Sequence, residues 1–365
     1  MNVYPLATID LEQAIALQFR LVDRIQRHFE GAEFLQGGDY GVVPGLGRPC
    51  CTAKVERVLA EFFEAEDAAL VRGAGTGAIR SALGALVSSG SRILLHNAPI
   101  YPTTRTTIAA MGLQPVTVDY NDLSGLDAPV LAGVDAALIQ ASRQQPEDRY
   151  ELGAVIRRLK TLRPELTILV DDNYVVMKVP RIGVQLGADA SAFSLFKLLG
   201  PPGIGCVVGA RAIVARIREL NYSGGGQVQG TEAMAALRSL VYAPVALAIQ
   251  ARVGDEIMAR LNRGEVPGVK SALIANAQSR VVLVELERPV APKVLAYSAK
   301  LGAAPYPVGA ESRYEIAALF YRVSGTFLKV NPAWADTLIR INPMRAGADT
   351  VLRVLREALA RVAAE

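Results

Sequence analysis

The sequence predicts an α/β protein with a mostly parallel central sheet, followed by a smaller C-terminal α/β domain. Three observations predict it. Short apolar runs alternate with helical patterns from about residue 68 to residue 208, as they do where crossover helices join parallel strands and cover both faces. From about Thr231 the pattern changes to long helices with isolated strand-like runs. The chain has 365 residues, about half of them apolar, which is enough for a large core and two domains.

Residues 1 to about 30 read as helical, with Ala14, Leu17 and Leu21 at helical spacing. The stretch GGDYGVVPGLGRPCC that follows reads as loop. A helix is expected from Thr52 to about Ala65, with Thr52 as its N-cap and Glu56 one turn on. Strands are expected at Ala68 to Val71, Ile93 to His96, Pro115 to Asp119, Ala136 to Gln140, Thr167 to Asp171, Ala190 to Ser194 and Cys206 to Val208. Two more follow at Val281 to Glu287 and Leu338 to Ile341, before a closing helix from Ala348 to Ala363. The boundaries drawn from this are an N-terminal helix and loop segment over 1–45, a large domain over 46–225 and a small domain over 226–365.

Composition narrows the function. The formal net charge is +4 and no basic tail or stripe is present, which argues against nucleic acid as a partner. Uncharged runs such as Ser239 to Gln250 are short of the roughly 20 apolar residues a bilayer span needs, so no membrane partner is expected. The start, MNVYPLATIDLEQ, does not read as a signal peptide. Cys50, Cys51 and Cys206 are odd in number and include an adjacent pair, which suits a reducing cytoplasm better than a disulfide framework. His28 and His96 are the two histidines, so no metal centre is expected and proton transfer would fall to other residues.

Four strand ends carry chemistry, where an open α/β sheet places its ligands. TILVDDNY is apolar up to Val170 and then sets Asp171 and Asp172 at its end. A buried carboxylate needs a partner, and a cationic ring nitrogen is one. In FSLFKLLGPPGIG, Lys197 follows an apolar strand, where partial burial makes a lysine a good amine nucleophile. In ALVRGAGTGAIRSAL, the turn Gly73 to Gly77 opens a helix whose exposed N–H groups form an anion site. LLHNAPIYPTT offers Tyr101. A phosphate cradle, a lysine, a carboxylate and an aromatic are the parts a pyridoxal 5'-phosphate site requires.

This order and spacing resemble the fold-type I, aspartate aminotransferase-like pyridoxal phosphate enzymes. Within them they resemble the Cys/Met-metabolism group of cystathionine γ-synthase, cystathionine β-lyase and methionine γ-lyase. That group's Asp-Asn-Thr is similar to Asp172-Asn173-Tyr174, and its Gly-Ala-Asp to Gly187-Ala188-Asp189. The steps of 17 residues from Asp172 to Asp189 and 8 from Asp189 to Lys197 match it. The resemblance implies that Lys197 forms the Schiff base and that Asp172, rather than Asp171, pairs with the ring nitrogen. It implies that Ser194 and the turn Ala74-Gly75-Thr76 bind the phosphate, and that Tyr101 stacks on the ring.

There are departures. Phe196 stands where the group has threonine, and its Tyr-Ser-Arg motif has only a loose counterpart in Arg48. KLLGPPGIG and YSGGGQVQGTEA are similar instead to class V aminotransferases, in which a Gly-Thr like Gly230-Thr231 reaches the neighbouring subunit's phosphate. IQASRQQP resembles a segment of a branch near cystathionine β-lyase, and the relatives expected are a YhfS-like bacterial branch. These features imply a homodimer with the site at the interface and Thr231 touching the partner's cofactor.

Arg340 leaves an apolar strand in TLIRINP. An arginine there is costly unless it meets an anion, and its planar fork suits a carboxylate. The resemblance gives it the α-carboxylate of an amino-acid substrate, with Arg143 as a second candidate. The activity implied is elimination or replacement on an amino-acid side chain. Transamination is the alternative, and cofactor binding without turnover a third reading.

Overall fold

The computed structural model describes residues 2–275, 280–309 and 311–365. The chain divides into two compact units: Glu12–Ser142 with Arg149–Pro244, and Met1–Leu11 with Arg143–Asp148 and Val245–Glu365. The division does not follow the boundaries expected at 45 and 225. The N-terminal helix α1 (Leu11–His28) belongs almost wholly to the larger unit. The C-terminal cut falls inside one 33-residue helix, Gly230–Asn262, at Pro244, where proline removes a helical hydrogen bond.

The larger unit is built on a seven-stranded sheet in the order β1-β7-β6-β5-β4-β2-β3. Its strands are β1 (Asp67–Arg72), β2 (Arg92–His96), β3 (Gln114–Val118), β4 (Ala136–Gln140), β5 (Thr167–Asp171), β6 (Ala190–Ser194) and β7 (Ile204–Gly209). β2 to β6 run parallel; β7 is antiparallel to both its neighbours, β1 and β6. The expected strands are all present, within one or two residues at each end. On one face, Leu169 of β5 and Ala190 and Ala192 of β6 pack with Ala78, Ile79 and Leu83 of α3 (Ala74–Leu86). Burying these apolar rows contributes about 25 cal/mol per Å², and this holds the start of α3 against the sheet.

Helix α2 (Cys50–Phe62) begins two residues before the expected N-cap. Thr52 lies inside it and donates its hydroxyl to the Val228 carbonyl at 2.9 Å. The capping acceptor comes from the loop instead: the Asp39 carboxylate accepts from the N–H groups of Cys50 (2.6 Å) and Cys51 (2.9 Å).

The smaller unit holds a four-stranded antiparallel sheet in the order β10-β11-β9-β8. Its strands are β8 (Val269–Ala275), β9 (Val281–Leu286), β10 (Leu319–Arg322) and β11 (Leu338–Asn342). Helices Ala291–Lys300 and Ala348–Ala363 supply Val294, Val351 and Leu355 to the core on one face. β8 and β10 were not expected: β8 carries Lys270 and Ser271 near its start, and β10 is four residues long. By length and composition the Gly230–Asn262 helix is apolar enough to cross a membrane, a point the short uncharged runs conceal. Half of its most apolar window is buried inside the protein, which is the condition of a core helix.

Candidate active site

The phosphate-cradle candidate is the junction of β1 and α3. Gly73 adopts φ +93°, and it and Ala74 both donate N–H to the Gly203 carbonyl, at 2.8 and 3.0 Å. The chain then turns into α3, whose first-turn N–H groups at Gly75 and Thr76 have no carbonyl one turn behind them. Small residues are required here. A Cβ on Gly75 would run into the Asn173 amide, and one on Gly77 into the Arg72 carbonyl. The Thr76 hydroxyl lies 3.2 Å from that of Thr103, in the first turn of α4 (Pro102–Ala110). This contact brings α4, with Tyr101 half-buried at its N-cap, up to the cradle.

Asp171 ends β5 and Asp172 follows it directly; their side chains point to opposite faces of the sheet. Asp172 is fully buried on the face away from α3. Its carboxylate accepts from the Gly183 N–H at 3.1 Å and from the Ser191 hydroxyl. Burial pushes it up to about 7, with the Asp171 charge adding to the rise and these two bonds opposing it. Asp171 shares its face with Leu169 and α3. It accepts from Asn173 twice, from the backbone N–H at 3.0 Å and from Nδ2 at 2.7 Å. Burial raises it too, against the pull of Asn173 and the positive charge of Lys197. The carboxylate on the cradle side, beside the lysine, is therefore Asp171. Asp172, the residue expected at the ring nitrogen, instead faces Gly183 and Ser191.

Lys197 lies in a short turn, Phe196–Leu198, after β6. Its N–H reaches the Ser194 Oγ at 3.4 Å, and the Ser194 N–H donates to Asn173 Oδ1 at 3.1 Å. Asn173, against Gly75 on one side and Ser194 on the other, ties cradle, carboxylate and lysine turn into one network. The Lys197 Nζ sits over the Tyr174 ring, 3.7 Å from its centroid. Sequence reasoning missed two things: the orientation of Asp171, for which strand alternation from Leu169 was the available signal, and the placement of Tyr174 beneath the lysine.

Thr231, half-buried, is in the first turn of the Gly230–Asn262 helix. The Gly230 N–H donates to the Asp39 carbonyl at 2.9 Å; a Cβ on Gly38 would run into the Gly230 backbone, and one on Gly230 into Asp39. Arg48 is committed within its own unit: its Nε lies 2.7 Å from the buried Glu56 carboxylate. In the smaller unit Arg340 is buried at the centre of β11. Its Nε donates to the Arg322 carbonyl at 2.8 Å and its guanidinium lies 4.0 Å from the Tyr321 ring centroid. Arg143 is buried in the same unit and donates to the Tyr4 carbonyl. Among the described residues no His/Cys/Asp/Glu group could hold a metal ion.

Two family models match the chain: the C-terminal domain of YhfS-like proteins over residues 255–355, and aminotransferase class V over residues 151–238. The uncharacterized protein YhfS of Escherichia coli (strain K12) is 54% identical, across 99% of this chain and 100% of its own length. The crystal structure of the pyridoxal-5'-phosphate dependent protein YhfS from Escherichia coli has a TM-score of 0.97 to this chain, covering 99% and 100% of the two chains. L-methionine gamma-lyase of Pseudomonas putida is 29% identical over 163 residues, 43% of this chain and 40% of that protein. A cystathionine lyase, CalE6 of Micromonospora echinospora, has a TM-score of 0.72 at 17% identity, covering 94% of this chain and 99% of that one, and shares the fold.

Proposed function

This chain belongs to the YhfS family, and from that premise we propose that it is a pyridoxal phosphate enzyme that eliminates or replaces the side chain of an amino acid. The observation that carries the reading is the network joining the α3 N-terminus, Asp171, Asn173, Ser194 and Lys197. This donor set fits the cofactor. The Gly75 and Thr76 N–H groups with the Thr76 and Ser194 hydroxyls suit a phosphate dianion. The carboxylate of Asp171 suits a protonated ring nitrogen, and the amine of Lys197 suits an aldehyde.

Bound pyridoxal phosphate supplies an electron sink for charge that develops at the Cα of an amino acid. Asp171 would keep the proton on the ring nitrogen, a positive charge that its burial makes favourable to pair with. Tyr101, at the N-cap of α4 beside the cradle, would offer its ring to one face of the cofactor. Lys197 would hold the cofactor through its amine, and the freed neutral Nζ would be placed to take a proton from the Cα of a substrate and to return one to a leaving group. Arg340 holds the α-carboxylate, with Arg143 as the alternative, and so selects the bond at Cα that breaks. Thr231 serves the phosphate of a second copy.

The partial likeness to a methionine γ-lyase favours elimination. The class V match over residues 151–238, which contains Lys197, supports aminotransfer as the second reading. Incubating the holoprotein with a panel of amino acids separates them. Elimination releases a keto acid together with free ammonia. Transamination releases a keto acid while the protein retains the amino group until a second keto acid removes it. If neither product forms with any sulfur-containing or hydroxy amino acid, the elimination reading fails.

A further inference from the structure

Tyr174 has a left-handed backbone, φ +71°. A bulky residue keeps that conformation only when its surroundings impose it. The conformation places the ring under the Lys197 Nζ, 3.7 Å from the centroid. Both residues are anchored by the same hydrogen-bonded chain. Asp171 holds Asn173, Asn173 holds the Ser194 N–H, and the Ser194 Oγ receives the Lys197 N–H. The contact thus lies between two fixed points of the backbone. The electron-rich face of an aromatic ring attracts an ammonium and offers little to a neutral amine.

We propose that the ring face of Tyr174 is the seat of the Lys197 ammonium, in the cofactor-free protein and after the released amine has taken up a proton. The proposal rests on the reading of Lys197 as the attachment residue. A lysine side chain released by an incoming substrate has several rotatable bonds and would otherwise sample many rotamers. The ring holds it in one place, protonated and beside Asp171, from which it can return a proton to a leaving group. Tyr174 is in this sense a positioning residue, acting through Lys197.

The reactivity of Lys197 in the cofactor-free protein tests this without turnover. A limiting amount of N-acetoxysuccinimide acetylates neutral amines, and mass spectrometry reads the extent at Lys197 against the exposed Lys270. Tyr174→Gly suits the left-handed backbone and removes the ring; at mildly alkaline pH its Lys197 should label about tenfold faster than in the parent protein. Tyr174→Leu should move the same way. Tyr174→Phe keeps the face and should stay within about twofold of the parent. Parental labelling in both Tyr174→Gly and Tyr174→Leu, or labelling in Tyr174→Phe as fast as theirs, overturns the proposal. Attachment is read separately: if Lys197→Ala still takes up the cofactor covalently, the reading beneath it has failed instead.

Discussion

Asp171 and Asp172 are adjacent in sequence and lie on opposite faces of one sheet: Asp171 on the side of α3 and Lys197, Asp172 on the side of Gly183 and Ser191. Both carboxyls are buried, and each is held by its own set of donors.

The first prediction separates their roles. Asp171→Asn should cut turnover by two or more orders of magnitude while Lys197 still takes up cofactor, because a neutral amide cannot keep a proton on the ring nitrogen. Asp172→Asn should keep most of its activity, since an amide can accept from Gly183 and donate to Ser191. Steady-state rates for the two variants decide it. The reverse order of losses would restore Asp172 to the ring nitrogen.

A second prediction concerns pH. The Asp172 carboxyl is held at about 7 in the folded chain, against 3.8 for an ordinary aspartate. The folded state therefore favours its protonated form. This contribution is complete below about pH 4, is lost as pH rises through about 7, and is flat beyond that, with a total on the order of 4 kcal/mol. Denaturant unfolding of the cofactor-free protein should show Asp172→Asn gaining on the parent as pH rises from about 5 to about 8. Parallel stability curves across that range would contradict the assignment.

The third concerns the lysine. Lys197→Ala should leave a folded protein without the yellow colour of the lysine-bound cofactor, measured as loss of its visible absorption band. A band that persists after gel filtration and survives denaturation would point to a different lysine.

The cradle gives a fourth. Gly75→Ala introduces a methyl where the Asn173 amide stands. Asn173 must move, and its bonds to Asp171 and the Ser194 N–H go with it. Crowding of this kind costs about 1–3 kcal/mol of stability, and cofactor affinity should fall more than it does for Gly84→Ala, which meets only ordinary contact with Leu220. Thermal melts and cofactor titrations of the two variants make the comparison.

The fifth concerns substrate. Arg340→Ala should retain the bound cofactor and weaken amino-acid binding by about 2–5 kcal/mol, the loss expected when one partner of a buried charge pair is truncated. Spectral titration with an unreactive amino acid reads this. An unchanged dissociation constant would pass the role to Arg143.

Most of the larger sheet was legible because its strands are short apolar runs between turn signals. Ala136–Gln140, Thr167–Asp171 and Ala190–Ser194 fall as expected. The smaller unit was harder. β10 is four residues long and takes its place from pairing with β11, a contact that leaves no period in the sequence. Motif spacing pointed to Lys197, Ser194 and the Gly-rich turn, which the fold brings together. It also pointed to Asp172, which lies on the other face from Lys197, because spacing counts residues along a strand and is blind to which face a residue occupies. The Asp39 cap was invisible for a related reason: its partners are 11 and 12 residues away, across a loop with no regular geometry.

The register of β1 against β7 pairs Arg72 with Ile204. These are the first and last strands of the larger sheet in chain order, and the cradle follows one while the lysine turn precedes the other. The Gly203 carbonyl, accepting from Gly73 and Ala74, closes the junction. Such a contact bridges a long stretch of chain and forms late, after the loop-closure entropy of everything between has been met. A ribosome-bound chain that stops short of β7 lacks the acceptor that sets the cradle. Colour from captured cofactor would therefore serve as a clock for the last stage of folding.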